Sequence, residues 1–145
     1  MCIRDRAQVT AVFHGPDAYV SAALYGEPQM QVPTWNYAVV HVRGSLRALD
    51  DAALAAQLAA LAARFERGDS AWHPGLVDPK LFDDLRRAIV GFAINVIDVR
   101  AKLKLSQNRS AEDRDRVEAA LHASADPRDN AVATLMKRIT TRRDS

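Results

Sequence analysis

The sequence predicts an α+β fold, and three observations carry that expectation. Strand-like and helix-like stretches segregate along the 145 residues instead of alternating. The run from Trp35 to Leu49 alternates with a period of two, Tyr37, Val39 and His41 on one face and Ala38, Val40 and Val42 on the other. Leu54, Leu58, Leu61 and Phe65 recur at intervals of three to four, the spacing of one helix face.

Taken in order, Gln8 to Phe13 reads as a short strand stopped by the turn signal His14-Gly15-Pro16. Tyr19 to Leu24 suggests a second strand before Gly26 and Pro28. The Trp35 to Leu49 strand follows Pro33, and Gly44 within it marks a bulge or a barrel corner. A partly curved antiparallel sheet is the economical arrangement of these pieces. Asp50 and Asp51 offer N-cap chemistry for a core-facing helix to about Arg67, with Gly68 as its stop. After a loop holding Trp72 to Gly75, Asp78 and Pro79 fit the N-cap and first position of a short helix ending near Arg87. Ile89 to Val99 reads as the longest strand, with Val90, Phe92, Ile94 and Val96 on one face and Ile97 and Val99 on the other, hence partly buried on both sides. Ser110 with Asp113 opens a helix to about Ala123 in the manner of a capping box. Asp126-Pro127 opens a last helix striped by Val132, Leu135, Met136 and Ile139. The last two helices form a C-terminal hairpin.

Composition narrows the class of protein. A chain of 16.0 kDa is the size of one domain, and ~150 residues bury roughly 68–70% of the unfolded surface without staples. Twenty basic against 18 acidic residues leave a net charge of +2, too little to mark a dedicated polyanion binder. One cysteine excludes an internal disulfide framework and a cysteine-rich metal site. No stretch of ~18 apolar residues is present, and the charged opening lacks the apolar run of a signal peptide, so a cytoplasmic location is the default. Residues 1–6 show neither strand nor helix periodicity and read as a non-native junction, leaving 7–145 as the domain. Three or four strands are few for a barrel, which implies completion by a partner chain or a missing piece.

Two polar clusters adjoin the strands. Val32-Pro33-Thr34-Trp35-Asn36-Tyr37, with His41 further on, offers flat aromatic faces and hydrogen-bonding groups suited to a planar heterocycle, or equally a sheet entrance packed by aromatics. Lys102 to Ser110 contains the cations Lys104 and Arg109 and the neutral groups Ser106, Gln107 and Asn108 ahead of a helix N-terminus. Such a loop can hold a phosphate, or it can be a solvated strand-to-helix turn. His14, His41, His73 and His122 have no ligand spacing, and no nucleophile elbow, P-loop or dinucleotide glycine motif occurs. Lys137-Arg138-Ile139-Thr140-Thr141-Arg142-Arg143 carries four cations without an acid, read either as a helix-turn-helix contact to DNA or as the favoured basic end of a packed helix.

In combination these motifs resemble the PaiB family of FMN-binding negative transcriptional regulators. The resemblance is carried by Phe13-His14-Gly15-Pro16-Asp17-Ala18-Tyr19-Val20-Ser21, by Val32 to Tyr37, by His41-Val42-Arg43-Gly44, by Ile89-Val90-Gly91-Phe92 and by Lys104-Leu105-Ser106-Gln107-Asn108-Arg109. Their order and spacing agree from Ala7 onward. The resemblance implies a split β-barrel like that of pyridoxamine-phosphate oxidases and flavin reductases, with helices packed on the barrel, and a homodimer binding FMN between subunits. Thr34, Trp35, Asn36, Lys104, Ser106, Gln107, Asn108 and Arg109 are the matching positions for cofactor or interface contact.

The sequence departs from the family in three places. Ser21 to Tyr25 lacks the tryptophan often found just before this tyrosine, and Ala93 stands where glutamate is common. An N-terminal block with early strands and a Gly-His segment is missing, so the chain is expected to be N-terminally truncated and to carry half a site. Two other functions stand beside the regulator reading. One is a flavin-dependent oxidoreductase on the same fold, and the other is direct DNA binding by the C-terminal hairpin.

Overall fold

The computed structural model describes residues 7–68 and 72–143. The expectation for residues 1–6 lies outside them. Three strands, β1 (Gln8–Val20), β2 (Thr34–Ala48) and β3 (Phe92–Lys104), form an antiparallel sheet in the order β1-β2-β3. Four helices accompany it: α1 (Asp51–Phe65), α2 (Pro79–Arg87), α3 (Ala111–His122) and α4 (Pro127–Arg143). The α+β class is as the sequence predicts, and among the described residues the sheet is open. No helix among them is long and apolar enough to cross a membrane.

Three sequence expectations need correction. The first two strands are one: β1 runs unbroken through His14-Gly15-Pro16. Proline is compatible with this strand because β1 lies at a sheet edge among the described residues, where a missing N–H need not cost a ladder bond. Gly15 fits because a Cβ at that position would lie 3.1 Å from the Cβ of Ala38 on β2. The residues expected to continue the second strand, Ala22 to Leu24, instead make a 3₁₀ turn capped by the Ser21 hydroxyl. Finally, β3 begins at Phe92 because the Ile89 amide donates to the Arg86 carbonyl and so closes the last turn of α2. Its apolar side chains are exposed on both faces, Phe92 and Val96 as well as Ile97 and Val99, as befits an edge strand rather than a doubly covered one.

The chain divides into two compact units, one of Met1–Thr10 with Arg43–Asp98 and one of Ala11–Val42 with Val99–Ser145. In the first, the Asp50 carboxylate accepts from the Ala53 amide at 2.8 Å and starts α1, and Asp78 does the same for α2 through Leu81. Leu54 is buried, and a Cβ on Gly91 would lie 3.0 Å from its Cδ1. Leu61 and Phe65 stay exposed, so only the first half of α1 faces a core. Gly44 is required by contact rather than by turn geometry: a Cβ there would lie 2.2 Å from the carbonyl oxygen of Asn95.

The second unit holds the main core. Ala18 and Val20 alternate inward on β1 and meet Tyr25, Leu105, Val117 and Leu121 of α3, and Val132, Ala133 and Met136 of α4. Leu135 and Ile139 pack at its margin, so the predicted α4 stripe is the buried one. Ser110 caps α3 by accepting from the Asp113 amide at 3.1 Å. The helices form the predicted hairpin.

Candidate functional site

Six of the eight residues singled out in the sequence converge on one cavity of about 210 Å³. Thr34, Asn36, Lys104, Ser106, Asn108 and Arg109 line it, together with Tyr25 and Val32. The fold brings them together simply. The start of β2 supplies Thr34 and Asn36, which alternation places on one face, and the end of β3 supplies Lys104. The turn from β3 to α3 supplies the rest.

At its floor the Asn36 side chain is fully buried and reciprocally bonded to Ser106. The amide nitrogen donates to Ser106 Oγ at 3.0 Å, and Ser106 Oγ donates to Asn36 Oδ1 at 3.2 Å. Met136 Sδ accepts a weaker contact from the same nitrogen at 3.6 Å. Ser106 has φ +59°, a left-handed conformation that a serine adopts only at a cost. The Asn36 contact and the bond from the Arg109 amide to the Ser106 carbonyl, 3.0 Å, hold it there.

Two cations line the cavity. Lys104 Nζ donates to Thr34 Oγ1, and Arg109 Nη1 donates to Gln31 Oε1 at 2.5 Å. Both partners are neutral, and among the described residues neither cation meets a carboxylate. The Arg109 guanidinium also lies over the Tyr25 ring, 4.6 Å from its centroid. With the side-chain amide of Asn108 alongside, the donor set is that of an anion cradle.

Asp113 lies behind the Tyr25 segment. It accepts from the Gly26 amide at 2.9 Å and pairs with Arg116, while Arg116 Nε donates to the Leu24 carbonyl at 3.2 Å. The Gly26 amide, then the Arg116 guanidinium, hold the Asp113 carboxyl below the ordinary carboxylate value of 3.8.

The structure places the other two predicted residues elsewhere. Trp35 points to the opposite face of β2, with its ring edge-on to Tyr19 at 5.8 Å and 73°. There it lines a hollow of about 390 Å³ with Val12, His14, Asp17, Tyr37 and His41. Gln107 staples its own turn, accepting from the Leu105 amide and donating to the Leu103 carbonyl. Sequence reasoning missed Tyr25 and Gln31. The signal for Tyr25 was the Ser21 capping position and Gly26-Glu27-Pro28 after it, which mark an irregular segment free to turn a side chain inward.

An anion cradle built on the start of β2, the end of β3 and the turn after it suits a phosphate-bearing ligand, and comparison with known proteins gives the family. The chain belongs to the PaiB-like FMN-binding family: the family model described as "Putative FMN-binding domain" matches residues 2–98. It is 37% identical over 132 residues to the Protease synthase and sporulation protein PAI 2 of Bacillus subtilis, covering 89% of this chain and 62% of the relative. It is 29% identical over 126 residues to an uncharacterized protein of Emericella nidulans, covering 76% of this chain and 50% of the relative. The chain thus spans only about half to three fifths of these relatives' length.

Proposed function

We propose that this chain is an FMN-binding, PaiB-like regulatory protein of the cytoplasm, with the FMN phosphate held between Lys104 and Arg109. The observation that supports it is the pair of cations with neutral partners on one small cavity. A cavity of about 210 Å³ accommodates a phosphate and the adjoining part of a ribityl chain, and the three-ring flavin head then lies outside it. Lys104 and Arg109 would offset the phosphate charge, Asn108 would donate to its oxygens, and Thr34 would keep Lys104 aimed. Asn36 would hold the turn in place from below. When bound, the flavin supplies reversible electron uptake, and the protein supplies orientation and electrostatics.

The ring needs a further wall, which fits a split barrel completed by a second copy. The exposed, edge-on rings of Tyr19 on β1 and Trp35 on β2 support a homodimer as the form in which the site is whole. The regulatory part of the reading rests on the family resemblance and on the sporulation protein named above.

The test is a visible spectrum of the purified chain with mass analysis of any released ligand, followed by titration with FMN. Binding near stoichiometry, weakened about tenfold or more by Lys104→Ala through loss of a charge-assisted bond, is the expected result. If neither this chain nor a version of the relatives' full length takes up flavin, the reading is wrong. Flavin reduction by a nicotinamide cofactor at catalytic rates would move the protein to the oxidoreductase class.

A further inference from the structure

We infer that Tyr25 is a specificity-determining positioning residue of the anion cradle, holding the Arg109 guanidinium from below and itself fixed by Asp113 and Arg116 of α3. The inference rests on the phosphate reading given above and adds Tyr25, Asp113 and Arg116 to the site; the last two lie beyond the family match, which ends at residue 98.

The geometry supports it in three steps. Arg109 is a long side chain whose free rotamers would cost entropy to gather on a ligand. The Tyr25 ring, only 3% exposed as a residue, lies 4.6 Å from its guanidinium carbon, and Gln31 accepts from its Nη1. The guanidinium is therefore held at the cavity before any ligand arrives, which is how preorganisation raises affinity.

Tyr25 needs its own support, because it sits between a 3₁₀ turn and Gly26 in a segment without ladder bonds. That support comes from α3, 87 residues further along the chain. Asp113 accepts the Gly26 amide on one side of Tyr25, and Arg116 donates to the Leu24 carbonyl on the other. Gly26 suits this approach, since a Cβ there would lie 2.8 Å from the Arg116 guanidinium. The clamp grips backbone on both sides of the ring, so it fixes the ring's height under Arg109.

Such a residue acts on the anion and leaves the rest of the ligand alone. The discriminating measurement is therefore the ratio of FMN to riboflavin affinity, two ligands that differ by the phosphate. Tyr25→Leu removes the ring face, and is expected to lower the ratio about five- to tenfold, the loss falling far more on FMN than on riboflavin. Tyr25→Phe keeps the ring face and restores the wild-type ratio. Arg109→Ala lowers the ratio at least as far, and adding Tyr25→Leu to it lowers it no further.

Equal loss of both affinities in Tyr25→Leu shows a merely structural residue and overturns the inference, as does an unchanged ratio. Inorganic phosphate, followed by its protection of the chain against thermal unfolding, separates this from the flavin reading. Should the wild type bind phosphate but no flavin, loss of that protection in Tyr25→Leu and its return in Tyr25→Phe sustain the inference alone. If the wild type binds neither flavin nor phosphate, both ideas fall.

Discussion

Asn36 and Ser106, seventy positions apart, share a pair of hydrogen bonds in a place from which water is excluded. Removing either partner leaves the other's polar atoms buried and unpaired, which costs more than the bond itself contributes. Asn36→Ala and Ser106→Ala are each expected to lose about 1–3 kcal/mol in urea unfolding, with an unchanged denaturant slope. The double variant should lose less than the sum, because the second truncation finds its partner already gone.

The core between sheet and hairpin gives a second contrast. Met136 and Leu121 are nearly fully buried, whereas Leu61 on α1 is 54% exposed. Met136→Ala should destabilise by about 2–5 kcal/mol, since it removes apolar contacts and leaves a cavity. Leu61→Ala, by contrast, should fall within about 0.5 kcal/mol of wild type. Chemical denaturation of the two variants side by side checks the claim, and equal losses would show that α1 is covered along its whole length.

Gly44 tests backbone packing. A methyl group there meets the Asn95 carbonyl oxygen at 2.2 Å and Ile94 Cγ2 at 2.7 Å, so the strands must part to admit it. Gly44→Ala is expected to cost about 1–3 kcal/mol or more by overpacking. Gly15→Ala faces only a 3.1 Å approach to another methyl and should be milder. Thermal unfolding of both variants would rank them, and the reverse order would show that the strands part more readily at Gly44 than this spacing allows.

Acid should act through Asp113. Its carboxyl is held below its ordinary value in the folded chain, so the folded state binds the proton less readily than the unfolded one. Its contribution is therefore fully present above the unfolded value of 3.8 and is lost as pH falls through the lower folded value. Wild type should melt higher than Asp113→Asn at neutral pH, and the gap should close as the solution is taken to pH 3 or below. Melting temperatures across that range, at constant ionic strength, decide it. A gap that widened in acid would contradict the sign.

Much of this arrangement could be read from residues alone, for reasons that differ by element. Helix starts were legible because Asp50, Asp78 and Ser110 each satisfy an amide three residues on, a strictly local bond. The α4 stripe was legible because periodicity reports burial directly. The continuity of β1 was not, because Gly15 and Pro16 signal a turn unless one knows that the strand is at an edge and presses against Ala38. In the cradle, Lys104 and Arg109 announced themselves by charge. Trp35 lies outside the cradle because adjacent residues of a strand face opposite ways, and composition does not say which face each takes. Tyr25 was hidden because its role depends on α3, far along the chain.

Pro16 also bears on how the molecule can meet a copy of itself. It lies in β1, an edge of the sheet among the described residues, and prolines in edge strands have their missing donor on the unpaired side. An incoming strand aligned along that edge would find a carbonyl without an answering amide partway along the row. Continuous sheet extension across β1 is thereby discouraged, which is a common guard against fibre-like stacking.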